Sequence, residues 1–302
     1  MNDLDLDTAL RIAVFAHIQQ LRARYSNRIP SVELNAGIQF RGQRVPIWNY
    51  MKGIFKPAIL GRNGVALSIQ TSAESPYDDV HDPDAGHFVY KYRGTDPEQA
   101  DNVALRNAMI LQRPLLYLVA VDPGVYDAIL PVYVENDNPA LHQVQLVADQ
   151  LSQVTIPEPE TLKTVRREYV TRAVMHRLHQ HEFRRVVLRA YRESCSICRL
   201  KHLDLLDAAH ILDDKHPLGE PIVSNGIGLC KIHHSAFDAR ILGIDADARV
   251  HIRKDVLEEI DGPMLKHGLQ EVHGIQLALP RQKSDQPKRE YLEERFAAFL
   301  AA

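Results

Sequence analysis

Two half-sites constrain this chain more than any other feature: Cys195-Ser-Ile-Cys198 and Cys230-Lys-Ile-His233, with 31 residues between them. They hold the only three cysteines, all within 36 residues of one another. An odd number, with none elsewhere, argues against a disulfide framework. Two knuckles of this spacing instead suit one tetrahedral ion, and Cys3His is an accepted ligand set for structural zinc. Cys195, Cys198, Cys230 and His233 are therefore predicted to clamp a small subdomain shut around Zn2+. A degenerate site that has lost its metal is the alternative.

That assignment uses His233 and leaves its neighbour. Adjacent residues on a helix diverge by about 100° around the axis. His234 thus faces away from the clamp, while His234 and Asp238, at i and i+4, share a face. An imidazole and a carboxylate there suit a harder divalent ion such as Mg2+ or Mn2+. Between the half-sites, LDAAHIL reads as a short strand ending near His210. A loop with Asp213, Asp214, Pro217 and Gly219 follows. SNGIGLC then supplies a turn at Asn225-Gly226, a strong hairpin signal, and a second strand. HHSAFDARIL reads as a helix.

Strand, loop, strand and helix, with His210, Asn225 and His234 in that order, resemble the ββα-metal fold of HNH endonucleases. The resemblance covers about 195–245 and is nearest the zinc-clamped, McrA-like branch. It implies metal-dependent hydrolysis of DNA phosphodiester bonds. His210 would be the general base, with a pKa suited to taking the proton of an attacking water. Asn225 would brace the loop that orients it, and His234 would hold the catalytic divalent ion. The family's usual first signature is Asp-His or His-His, whereas residue 209 here is Ala. Asp207 or Asp238 would then complete the ion's ligands.

The remaining 250 or so residues set the context. The chain has 302 residues, 45% hydrophobic and 25% charged, enough for about two domains. No run of 18 apolar residues is present, so no membrane span is predicted. The N-terminus, MNDLDLDTAL, lacks the basic start and apolar core of a signal peptide, which makes a cytoplasmic location the default. Net charge is −3, yet residues 161–202 hold 11 Lys and Arg against three Glu. A concentrated basic segment in an acidic chain points to a polyanion such as double-stranded DNA. Apolar residues there recur at helical spacing, including Phe183, Val186, Val187, Ala190 and Tyr191. The arginines largely take the other faces. Arg166, Arg167, Arg184, Arg185 and Arg189 are candidate DNA contacts.

The fold class predicted is α+β. Residues 1–155 form a mixed or β-barrel-like recognition domain, with helices over 6–25 and 101–112 and short Val-, Ile- and Tyr-rich strands between. Residues 156–192 form a basic helical connector. Residues 193–302 form the ββα-metal domain, closed by a terminal helix in REYLEERFAAFLAA. The first domain resembles N-terminal halves of modification-dependent restriction endonucleases, and SRA-like or PUA-like β-barrels, which flip a base into a pocket, are the closest analogy. That resemblance implies a role in restriction-modification and phage defence. Trp48, Tyr77 and Tyr92 could stack on an extruded base and Asp78 could bond its edge; Lys91 and Arg93 could hold phosphates. A homodimer is expected for double-strand cleavage, since one site cuts one strand. Two other functions stay open: a defence nuclease gated by a small ligand in the first domain, and an inactive zinc-containing DNA-binding protein.

Overall fold

The computed structural model describes residues 3–61, 64–71, 86–149, 160–213 and 215–302. The chain divides into two compact units, Met1–Leu178 and His179–Ala302. Both mix helix and strand, as an α+β chain should.

The first unit opens with helix α1 (Asp3–Tyr25), strand β1 (Ile29–Pro30), helix α2 (Ser31–Ala36) and the hairpin β2 (Ile38–Phe40) and β3 (Gln43–Val45). Then follow β4 (Ile54–Phe55), β5 (Ser68–Gln70), β6 (Phe88–Lys91), α3 (Ala100–Ile110), β7 (Leu115–Asp122), β8 (Val125–Asn138), β9 (Gln143–Ala148) and the start of α4 (Glu160–Ala190). One sheet runs β4-β5-β7-β8-β9-β6, with β1 also paired to β8. The β5–β7 pair is parallel and its neighbours are antiparallel, so the sheet is mixed. It is also curled. From β6, Tyr90 donates its hydroxyl to the Gly53 carbonyl, beside β4, at 2.8 Å, with the Gln70 carbonyl of β5 3.2 Å away.

Strand β7 shows why the sequence folds this way. Leu115, Tyr117 and Val119 enter a core with Ala104, Leu105 and Ala108 of α3 and Val174, Met175 and Leu178 of α4. Leu116, Leu118 and Ala120 enter a second core with Leu10, Val14 and Ile18 of α1. Successive side chains on a strand point to opposite faces. A strand buried on both must be apolar throughout, as LLYLVAV is.

The last turns of α4 begin the second unit. After them come β10 (Leu206–His210), β11 (Gly226–Cys230), α5 (Lys231–Asp238), β12 (Leu242–Ile244), β13 (Val250–Ile252), α6 (Lys254–Glu258), α7 (Pro263–Gly268) and α8 (Arg289–Leu300). Strands β10 and β11 are antiparallel, with Leu206 opposite Cys230 and His210 opposite Gly226. The Asn225-Gly226 pair is not the hairpin turn its sequence suggests. A 3-10 turn over Val223–Asn225 ends there and Gly226 is extended, with φ of −127°. A Cβ on Gly226 would stand 2.8 Å from Phe183 Cζ, and one on Gly228 would stand 2.9 Å from Tyr191 Cβ. These glycines admit α4 to the hairpin; they do not supply a left-handed turn. Among the described residues, no helix is long and apolar enough to cross a membrane.

Candidate metal centre and active site

The hairpin register sets both parts of the site. Cys230 ends β11 and is the N-cap of α5, so His233 lies within the first turn that follows. The Cys195–Cys198 turn reaches the same place, because the Ser196 amide donates to the Gly228 carbonyl at 2.8 Å. Ligand atoms of Cys195, Cys198, Cys230 and His233 all lie within 4.8 Å of one another. The Cys198 and Cys230 sulfurs are 3.9 Å apart, and His233 Nδ1 is 3.4 Å and 3.2 Å from the Cys195 and Cys230 sulfurs. A tetrahedral zinc with its usual bond lengths needs edges of about 3.8 Å between sulfurs and about 3.6 Å from sulfur to nitrogen. The four groups fit such an ion. His233 is 2% exposed, and its Nε2 is 2.8 Å from the Gly268 carbonyl of α7. Donation from Nε2 leaves Nδ1 as the ligand, the usual outer-shell arrangement for a metal-bound imidazole. Hydrogen bonds from Cys198 and Cys230 hold the Cys195 thiol far below its ordinary range, and Cys195 in turn drives Cys198 far above it.

On the next face of α5, His234 stands between two carboxylates. Its Nδ1 is 3.3 Å from Asp207 Oδ2 and its Nε2 is 3.3 Å from Asp238 Oδ2. Hydrogen bonding to Asp207 raises the imidazole's pKa above its usual value, with burial opposing. Burial is the largest single influence on Asp207 and would raise its pKa, but the hydrogen bond and charge of His234, the Ala208 amide and the Arg184 charge together outweigh it and hold the carboxyl below the ordinary range. One ion takes one imidazole nitrogen. A divalent ion held here would therefore share His234 with Asp207 or with Asp238, leaving the other carboxylate to orient the ring. Two arginines border the cluster. Arg184 Nε is 3.7 Å from Asp207 Oδ1, and Arg295 Nη2 of α8 is 3.7 Å from Asp238 Oδ1.

His210 ends β10 half-buried, its ring stacked on Phe183 of α4 with centroids 3.8 Å apart and planes at 16°. Ala209 beside it is fully buried in the core. Asn225 is also fully buried and stitches both ends of the loop that follows His210. Its Oδ1 accepts from the Leu212 amide, and its Nδ2 donates to the Leu212 and Glu220 carbonyls, each at 3.0 Å. Its own carbonyl accepts from the Ile211 amide at 2.9 Å. Sequence reasoning did not single out Phe183 as a site residue. Its place in an apolar helical stripe marked it only as a packing residue.

Several candidate nucleic-acid contacts are engaged within the chain. Arg166 and Arg167 both bond Asp149, at 2.8 Å and 3.0 Å. Arg185 bonds Glu182 through both forks, Arg184 donates to the Leu203 and Leu206 carbonyls, and Arg93 pairs with Asp101. Arg189 and Lys91 are exposed. The aromatic expectations meet a physical obstacle. Trp48 is buried, donates to Asn35 Oδ1 at 3.1 Å and packs edge-on against Tyr126. Tyr92 is buried with its hydroxyl bonded to Asp137. Both are core rings, so neither offers a face to a base. Tyr77 and Asp78 lie outside the described residues.

With this geometry in place, comparison with known proteins is informative. Curated proteins give no match. Among solved structures the chain is similar to one titled "Modification dependent TagI restriction endonuclease". Identity is 16% and the TM-score 0.30, over 80% of this chain and 83% of that one. Residues 195–245 match the family described as HNH endonuclease. That matched span holds the Cys3His cluster, His210, Asn225 and His234 together.

Proposed function

We propose that the chain is a metal-dependent endonuclease that hydrolyses phosphodiester bonds of double-stranded DNA, directed to modified DNA by its first unit, in restriction or phage defence. The observation that carries the reading is the pairing on α5: His233 closes a Cys3His cluster while His234 faces Asp207 and Asp238. In this reading Zn2+ occupies the first cluster and fixes the hairpin to α5. His234 with Asp207 or Asp238 would hold Mg2+ or Mn2+, which would supply positive charge to the phosphate undergoing hydrolysis. His210 takes the proton from the attacking water. Asn225 holds the loop beyond β10 so that the imidazole is presented in one orientation. Arg189 and Lys91, exposed on the surface, contact phosphates without reading sequence. A homodimer would give two strand cuts.

A nuclease domain of this size needs a separate device to choose its DNA, and the first unit is a folded body with two cores of its own. The decisive experiment is digestion of matched plasmids with Mg2+ or Mn2+. They carry no modification, 5-methylcytosine, 5-hydroxymethylcytosine, 6-methyladenine or phosphorothioate. Cleavage of one modified plasmid, lost with EDTA and with His210→Ala, is expected. One observation favours a second reading, a DNA-binding protein without cleavage: Ala209 puts a buried methyl group where the family usually has a ligand. Retention of every plasmid intact, with binding preserved, would select it.

A further inference from the structure

We infer that Phe183 is a positioning residue for His210, fixing the plane in which that imidazole receives a proton. This rests on the reading of His210 as the general base. Phe183 belongs to an apolar stripe on α4 that packs on the hairpin: Phe183 and Val187 lie against Gly226 and Tyr191 against Gly228. Phe183 also meets a polar ring. It is 2% exposed and lies parallel to the half-buried His210, with centroids 3.8 Å apart.

The geometry matters because of where imidazole does its chemistry. Both ring nitrogens bond in the plane of the ring. A parallel stack covers a face and resists tilting, yet leaves both edges to in-plane partners. The stack therefore restrains rotation of the imidazole out of that plane. The sequence makes room for it. With a Cβ at residue 226, directly opposite His210 in the register, Phe183 could not sit where it does.

Full-length Phe183→Met keeps an apolar side chain of similar reach and removes the ring. It is compared with Val187→Ala, which thins the same core without touching the imidazole, and with His210→Ala. Each cuts the best-cleaved plasmid of the matched set, and histidine-labelled protein gives ring-proton NMR spectra assigned by His210→Ala. In the wild type, stacking shifts the His210 ring protons upfield. In Phe183→Met that shift is lost and kcat falls about 10- to 100-fold, the scale of a small misplacement. KM and bound zinc are unchanged, and Val187→Ala stays within about twofold in kcat. Wild-type spectra without the upfield shift overturn the inference even if Phe183→Met fails to fold. So does a Phe183→Met enzyme cutting at the wild-type rate, or an equal loss in Val187→Ala. If His210→Ala is inactive while Phe183→Met is not slowed, only the role of Phe183 falls. Normal cutting by His210→Ala removes the general-base reading and this one with it.

Discussion

His233 and His234 are adjacent in sequence and stand in opposite kinds of site. His233 is buried, has one nitrogen on a carbonyl and the other among three sulfurs, and belongs to a cluster of soft donors. His234 is more open and stands between two carboxylates. The difference teaches that one turn of helix can present two neighbouring imidazoles to two separate clusters, because successive side chains diverge around the axis. Donor softness and solvent access then sort the ions. The largest test removes the soft site. Cys198→Ala is the cleanest choice, since Cys198 is the exposed member of the cluster and its loss costs little packing. Structural zinc contributes on the order of 10 kcal/mol of binding free energy, comparable to the whole stability of a domain. The second unit should therefore lose its cooperative melting transition and its bound zinc. An unchanged melting temperature and metal content would dissolve the contrast between the two histidines.

The reactive side should respond in the opposite way. His210→Ala is expected to lower cleavage about 10²- to 10⁴-fold, with zinc, melting temperature and DNA binding intact. A smaller effect sharpens the comparison within the open site. Asp207 is on a strand, with Oδ1 accepting from the Ala208 amide at 2.9 Å, and so presents Oδ2 in a fixed direction. Asp238 is the last residue of α5, and its side chain is 59% exposed. Asp207→Asn should therefore abolish the response to Mn2+. Asp238→Asn should raise the Mn2+ concentration for half-maximal cleavage about 10- to 100-fold, the effect expected for an orienting group. The reverse ranking would move the ion to the Nε2 side of His234.

Legibility in the sequence followed the range over which each signal acts. The cysteine spacing, the i and i+4 pair on α5 and the apolar run of β7 are local, and each corresponds to a structural element. Signals that depend on distant partners misled. Asn225-Gly226 read as a turn because nothing nearby shows that Phe183 needs the space. Trp48 and Tyr92 read as rings that could stack on a base because packing against Tyr126 and bonding to Asp137 involve residues many positions away. Strand β9 carries only six residues of weak alternation, and pairing with β6 and β8 makes it a strand. The arginines of α4 form a helix face that is easily read as basic surface. The carboxylates that neutralise part of it, Asp127 and Asp149, lie 50 and 17 residues away from Arg177 and Arg166.

Those arginines supply the smallest test, and it divides along the same line as the histidines. Arg167 is buried, bonded to Asp149 and placed over the Tyr133 ring at 4.3 Å. Arg189 is exposed on the same helix. Each phosphate contact that is lost lowers the dependence of log K on log salt by about one. Arg189→Ala should reduce the slope of DNA binding by that amount, weaken binding evenly across sequences and leave melting unchanged. Arg167→Ala should leave the slope alone and lower the melting temperature, because Asp149 keeps its burial while losing a partner. Equal slopes for Arg189→Ala and wild type would mean that the basic excess of α4 serves the fold and that DNA is held elsewhere.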